Sequence, residues 1–212
     1  KHNSYQRLDY LISKLIEGDS IALVSDAGMP SISDPGEILI KEARKAKLDI
    51  ICIPGPCAAI NALVSSGLDT SKFTFYGFIP KSPKKRNFFL KVISESEISC
   101  IVYESPKRII KLLKDLKKFC GGSREVVLLK EITKRYEQHF GSNIDEVLKI
   151  LNNIEPRGEL TLVISGDNTI KTNSISNEVL KDDLLSLIKA GLSHSAASSY
   201  LSKKFGCLIV LS

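Results

Sequence analysis

The chain has 212 residues, 43% of them hydrophobic, and a formal net charge of +6. That suffices for one large domain or two small ones with a real core, and no run reaches the roughly 18 consecutive apolar residues of a membrane-spanning helix. Five scattered cysteines (Cys52, Cys57, Cys100, Cys120 and Cys207), with no Cys-x-x-Cys and no Cys/His cluster, speak against a disulfide framework and a zinc site. The cysteine usage fits a reducing cytoplasm, and the basic balance favours an anionic partner. No signal peptide is visible. The first residue is Lys1 and the only methionine is Met29, so the sequence reads as a piece of a longer chain.

Ser4 can cap a helix with a stripe of Leu8, Leu11, Ile12, Leu15 and Ile16, which Gly18 ends. Ser20–Ser25 reads as a buried strand, and a helix follows at Glu37–Lys47. Asp49–Ile53 reads as a second strand, with Cys52 as a small buried hydrophobe. Pro56 suits the first turn of a helix running to Gly67. Phe73–Phe78 is a strand. Strands alternating with helices at this spacing imply parallel βαβ units.

The fold class is therefore α/β, with a doubly wound parallel sheet in a first domain over residues 1–79. A second, mixed α/β domain spans 80–166. Its strands are Ile98–Tyr103, Val126–Leu129, Tyr136–Phe140 and Glu159–Ile164, and its helices are Ser105–Phe119 and Asn143–Asn152. A polar linker covers 167–177. Residues 178–212 hold a helical hairpin, Val179–Lys189 and Ser195–Lys204, around Gly191-Leu192-Ser193. It reads first as a packing module and second as a helix-turn-helix facing nucleic acid.

Chemistry-bearing residues gather at strand exits. The loop Ser25-Asp26-Ala27-Gly28-Met29-Pro30-Ser31-Ile32-Ser33-Asp34-Pro35-Gly36 carries more acids, glycines and prolines than a connector needs. Bent loops after strands are where open α/β sheets bind ligands. Pro54-Gly55-Pro56-Cys57-Ala58-Ala59 offers small side chains at a helix start, where backbone N–H groups favour anions. Tyr103-Glu104-Ser105-Pro106 leaves one strand, with Ser105 and Pro106 as cap and first helical residue. Glu131, Thr133 and Lys134 leave another, and their paired charges read as a salt bridge or as groups that orient a hydroxyl. Pro80–Lys91 holds Lys81, Lys84, Lys85, Arg86 and Lys91 with no acid. It reads equally as a phosphate-binding loop and as a solvated one. His2, His139 and His194 lack metal-ligand spacing.

Together these motifs resemble the ribosomal RNA small subunit methyltransferase I family of the tetrapyrrole methylase superfamily. The stretches that carry the resemblance are the Ser25–Gly36 loop, Pro54–Ala59, Gly77-Phe78-Ile79-Pro80, Tyr103–Pro106, Glu131-Ile132-Thr133-Lys134 and Gly158-Glu159. The resemblance implies two α/β domains with S-adenosylmethionine between them and a small helical C-terminal unit. It also implies a homodimer, and methyl transfer to the 2′-hydroxyl of a cytidine ribose in the decoding centre of 16S RNA on the 30S subunit. The cofactor contacts it points to, with their neighbours in the same loops, are Asp26, Ala27, Gly28, Met29, Ile32, Pro54, Gly55, Cys57, Ala58, Tyr103 and Thr133. Glu104 is the first candidate for general base, Glu131 the second, and Lys134 would place a phosphate or hydroxyl. Lys81, Lys84, Lys85 and Arg86 would bind RNA. Met29 stands where the family has threonine, the family's two opening strands have no counterpart here, and Phe205–Ser212 lacks the family's closing pattern. An N-terminally incomplete chain is expected. The rival readings are a corrin or porphyrin methyltransferase and an inactive RNA-binding remnant.

Overall fold

The computed structural model describes residues 2–167 and 177–205. The linker at 168–176, Cys207 and nearly all of the Phe205–Ser212 segment lie outside the described residues, as does the side chain of His2. The chain forms two compact units, 1–167 and 168–212.

Five strands in the first unit, β1 (Phe73–Phe78), β2 (Ser99–Glu104), β3 (Val126–Lys130), β4 (Gln138–Phe140) and β5 (Leu160–Ile164), make one mixed sheet in the order β1-β2-β5-β3-β4. β1 and β2 are parallel, and β5 runs antiparallel between β2 and β3. β1, β2 and β3 therefore all leave the sheet at one edge, where β5 enters it; Glu104 and Lys130 both lie opposite Leu160.

The pleat sends successive side chains to opposite faces. Cys100, Val102, Val126, Leu128, Leu162 and Ile164 join one core, while Ile101, Leu129 and Val163 join the other. Three helices cover the first face: α4 (Pro83–Ser94), α5 (Pro106–Cys120) and α6 (Ile144–Leu151). In α5 the apolar residues Ile109, Leu112, Leu113 and Leu116 recur at helical spacing and are fully buried. Pro106 opens that helix and Gly121 closes it. Asn143 caps α6 by accepting the Glu146 N–H at 2.9 Å, and the Glu146 carboxylate accepts the Ser142 N–H at 3.1 Å, a reciprocal cap. The second face is covered by α3 (Ala58–Ser66) through Ala59, Ala62 and Leu63.

The first 72 residues differ most from expectation. α1 (His2–Ile16) and α2 (Glu37–Lys45) form as anticipated. The segments 20–25 and 49–53 do not become strands. Their backbones pair with no described strand, and Val24, Ile51 and Ile53 are 82%, 88% and 78% exposed. An apolar run becomes a strand only when a neighbour completes its ladder. Cys52 is accordingly exposed rather than buried, whereas Cys100 is buried. Pro56 stands ahead of the cap residue Cys57 instead of in the first turn. Most of the basic stretch expected as a loop is helix α4.

In the second unit, α7 (Asn177–Lys189) and α8 (His194–Phe205) pack on each other. Gly191 takes a positive φ in the turn, and Ser193 Oγ accepts the Ala196 N–H at 3.3 Å. No described helix is long and apolar enough to cross a membrane.

Leu112→Ala should destabilise the chain by about 2–5 kcal/mol in urea unfolding. Ile51→Thr, on an unpaired and exposed segment, should stay within about 0.5 kcal/mol of the parent. Equal losses would mean that the 49–53 segment is packed.

Candidate functional site

The edge where β1, β2 and β3 end is also where the loops of the first 60 residues arrive. Residues 26–29, 32–34, 56–58, 103–106, 132–134 and 158–161 together line a cavity of about 540 Å³. Of the residues singled out from sequence, Asp26, Ala27, Gly28, Met29, Ile32, Cys57, Ala58, Tyr103, Glu104, Thr133 and Lys134 line it; Pro54, Gly55 and Glu131 do not. Asp34, Phe78 and Glu159, which stood in the quoted motifs without a role of their own, line it too, as does Asn61, which no motif contained. Asp34 shares the first loop with Asp26, and Glu159 follows Gly158 directly before β5, so both had a signal in sequence.

Local contacts shape each loop. Ser25 Oγ donates to the Gly28 carbonyl at 2.9 Å, and Gly28 turns the chain with φ +77°, a conformation glycine adopts without steric cost. The cap residue of α3, Cys57, makes no side-chain cap bond. Tyr103 supplies it from β2: its hydroxyl accepts the Ala59 N–H at 3.0 Å, joining the second loop to the strand exit. Burial raises the Tyr103 phenol above its ordinary range. Phe75 and Phe78 hold the ring edge-on at 4.9 and 5.6 Å.

Backbone strain concentrates here. Among the described residues, Ser31, Ser33, Lys47, Glu131 and Thr133 are the non-glycines with positive φ, and all but Lys47 belong to the two loops at the cavity. Such conformations cost on the order of 1–3 kcal/mol each and persist where surrounding structure enforces them.

The β3 exit is built around one carboxylate. Glu131 accepts the Glu159 N–H at 2.7 Å and the Lys134 ammonium at 3.1 Å. The Glu131 N–H in turn donates to the Glu159 carbonyl at 2.9 Å. Gly158 makes room: a Cβ there would lie 2.5 Å from the Glu131 carboxylate, at φ +82°. The Glu159 N–H and then Lys134 hold the Glu131 carboxyl below its usual range. The Glu159 and Glu131 carboxylates hold the Lys134 amine above its own. Lys134 is therefore a fixed positive charge at the cavity, bridging to Glu159 at 3.0 Å.

Glu104 is placed differently from a general base. Its side chain has no exposed surface. Oε2 faces Arg108 at 3.1 Å and Arg86 at 3.8 Å, and Oε1 accepts the Ser105 N–H at 2.8 Å. A proton acceptor must reach its substrate; Glu104 borders the cavity, but its side chain has no exposed surface and its Oε2 sits within ion-pair distance of two guanidiniums without a hydrogen bond to either. Arg86 needs the same correction as an RNA contact. It is 6% exposed, on the inner side of α4, and binds Asp115 at 3.1 Å. Arg108 also donates to the Ile79 carbonyl at 2.7 Å, so the cluster ties the exits of β1 and β2 together. Lys81, Lys84 and Lys85 are exposed beside it.

Because the folded-state pKa of Glu131 is depressed, its contacts stabilise the β3 exit above the ordinary carboxylate range. That contribution disappears as pH falls through the folded-state value. Glu131→Gln should flatten the acid limb of the stability profile and lower the Lys134 pKa measured by NMR at Nζ. An unmoved Lys134 titration would contradict the pairing.

The sequence profile described as Tetrapyrrole (Corrin/Porphyrin) Methylases matches residues 2–148. A relative from Synechocystis sp., named ribosomal RNA small subunit methyltransferase I, is 39% identical over 96% of this chain and 73% of its own length. Relatives of the same name from Vibrio cholerae and Escherichia coli O157:H7 are 41% and 42% identical, over 85% and 78% of this chain and 63% and 58% of their own lengths. Among solved structures, the methyltransferase CobJ aligns with a TM-score of 0.59 at 15% identity, covering 76% of this chain and 70% of its own. A Thermus thermophilus uroporphyrin-III C-methyl transferase complexed with S-adenyl homocysteine aligns with a TM-score of 0.53 at 12% identity, covering 76% and 72%. At these identities the structural likeness speaks to the fold. The chain belongs to the tetrapyrrole methylase family, in the branch whose curated members are named ribosomal RNA small subunit methyltransferase I.

Proposed function

We propose that the chain transfers a methyl group from S-adenosylmethionine to the 2′-hydroxyl of a cytidine ribose in the decoding centre of 16S RNA. The observation that carries this reading is the likeness, over 96% of the chain, to a relative named for small-subunit ribosomal RNA. The reading brings with it the 30S subunit as partner, a cytoplasmic setting and a homodimer.

The residues at the strand exits suit the donor. A cavity of about 540 Å³ falls within the usual range for small-molecule sites, roughly 300–1,000 Å³. Three exposed acids, Asp26, Asp34 and Glu159, line it against one ammonium, Lys134. That balance favours a cationic sulfonium. The backbone of the 26–29 turn and the small side chains of Cys57 and Ala58 let a nucleoside lie close to the chain. S-adenosylmethionine, when bound there, supplies an electrophilic methyl on a positively charged sulfur.

The chain's own groups would do the rest. The bound donor would supply the methyl carbon and keep the electron pair of its carbon–sulfur bond, so the proton is what the chain itself must handle. The hydroxyl proton must leave the oxygen, and Glu159 is the acceptor in this reading. It lines the cavity, its side chain is 72% exposed, and its partner is Lys134. Lys134 stays protonated and stabilises negative charge developing on the ribose oxygen or holds the neighbouring phosphate. Alignment of oxygen, methyl and sulfur can contribute about 7–11 kcal/mol, and the proton acceptor a further 10²–10⁴-fold or so. Lys81, Lys84 and Lys85, which pair with no acid among the described residues, would take RNA phosphates at the same edge.

The test is methylation of 30S subunits with labelled S-adenosylmethionine, followed by mass mapping of the RNA. Label on one cytidine ribose is expected. Label on a base, or on a corrinoid offered in parallel, would contradict the reading. In single-turnover assays Glu159→Gln should slow transfer by roughly 10²–10⁴-fold with cofactor binding retained; an unchanged rate would remove Glu159 from the role.

A further inference from the structure

The outer face of α5 carries a row of positive charge that the cavity does not use. The helix holds five lysines and one arginine against a single acid. Lys107, Lys111, Lys114 and Lys118 recur at spacings of four, three and four, opposite the buried Ile109, Leu112, Leu113 and Leu116. All four are exposed. Asp115 pairs with Arg86 at 3.1 Å and accepts a hydrogen bond from Lys118 at 3.3 Å, which leaves Lys107, Lys111 and Lys114 as the unneutralised part of the row. Among the described residues no acid pairs with Lys107, Lys111 or Lys114. Like charges four residues apart repel along a helix, so the row works against the helix that carries it.

Its position gives the row a direction. Ser105 and Pro106 line the cavity, and Lys107 is the next residue. Arg108 ties this first turn to the Ile79 carbonyl, just ahead of Lys81. The row therefore starts at the mouth of the site, beside Lys81, Lys84 and Lys85. It runs away from that mouth for about 16 Å at the α-helical rise.

We infer that the lysine row on α5 is a second RNA-backbone surface, which holds phosphates of the substrate RNA remote from the nucleotide that enters the cavity. The inference rests on the RNA reading above and extends it from the site mouth to the helical face. A polyanion whose phosphates recur at short intervals complements such a row, and release of its counterions would drive binding. Base identity plays no part in it, so the row contributes affinity without choosing the nucleotide.

The experiment compares the full chain with the triple variant Lys107→Gln, Lys111→Gln, Lys114→Gln. Affinity for purified small-subunit ribosomal RNA is measured across a range of salt, and S-adenosylmethionine binding by calorimetry. The variant should lose at least about tenfold in RNA affinity at low salt, and its log–log salt slope should fall by about 2–3. Replacing the same three lysines with arginine should restore both. An unchanged slope overturns the inference. So does loss of binding to phosphatidylserine vesicles with RNA binding intact, which would make the row a membrane surface. Failure of the methylation reading registers separately, as absent cofactor binding or absent RNA methylation by the unaltered chain.

Discussion

Two of the strand exits that border the cavity are joined by a charge cluster centred on the buried carboxylate of Glu104. Glu104 ends β2, Arg108 lies in the first turn of α5, Arg86 lies in α4, and Arg108 reaches the carbonyl of Ile79 just beyond β1. Buried ion pairs add little net stability compared with apolar packing, yet removing one partner costs about 3–5 kcal/mol, because the other charge is stranded. The cluster is best understood as a device for position: it fixes where Tyr103, Ser105 and Pro106 stand, and through the Tyr103 hydroxyl it fixes the start of α3. A second lock of the same kind, Glu131 with Gly158, Glu159 and Lys134, sets the opposite wall.

Function is divided among the charges accordingly. Buried charges hold the frame, exposed acids and Lys134 line the cavity, and exposed lysines of α4 and α5 face outward. Arg86 and Lys85 are neighbours in sequence and belong to different classes, since one points into the α4–α5 seam and the other to solvent. The strained residues Ser31, Ser33, Glu131 and Thr133 occupy the lining loops rather than the scaffold. That is the distribution expected when backbone strain serves pre-organisation.

Much of this was legible in the sequence. Apart from the short β4, the strands from Phe73 onward announce themselves by apolar runs bounded by turns, α5 by its stripe, and the loops at the cavity by residues a connector has no use for. Ile21–Val24 and Ile50–Ile53 were misleading, because an apolar run shows that burial would be favourable without showing that a ladder partner is present. Arg86 was misread from its lysine neighbours, although its spacing to Leu90 and Ile93, four and seven residues on, is the spacing of an inward helical face. Glu104 looked like a general base because of its place at a strand end. Its commitment to Arg108, four residues later, depends on how the strand turns into the helix. Glu159 was read only as part of the Gly158-Glu159 motif and given no chemical role, because an acid beside a glycine ahead of a strand also suits an ordinary turn.

The central claim is that a sulfonium nucleoside lies among these strand exits, with its reactive carbon facing Lys134 and Glu159. A crystal structure of the chain with S-adenosylhomocysteine tests it most directly. The account predicts density between the 26–34 loop and residues 56–58, with the sulfur directed toward the β3 exit. Ligand density elsewhere on the molecule, or in the cavity with sulfur turned away from Lys134 and Glu159, would contradict it.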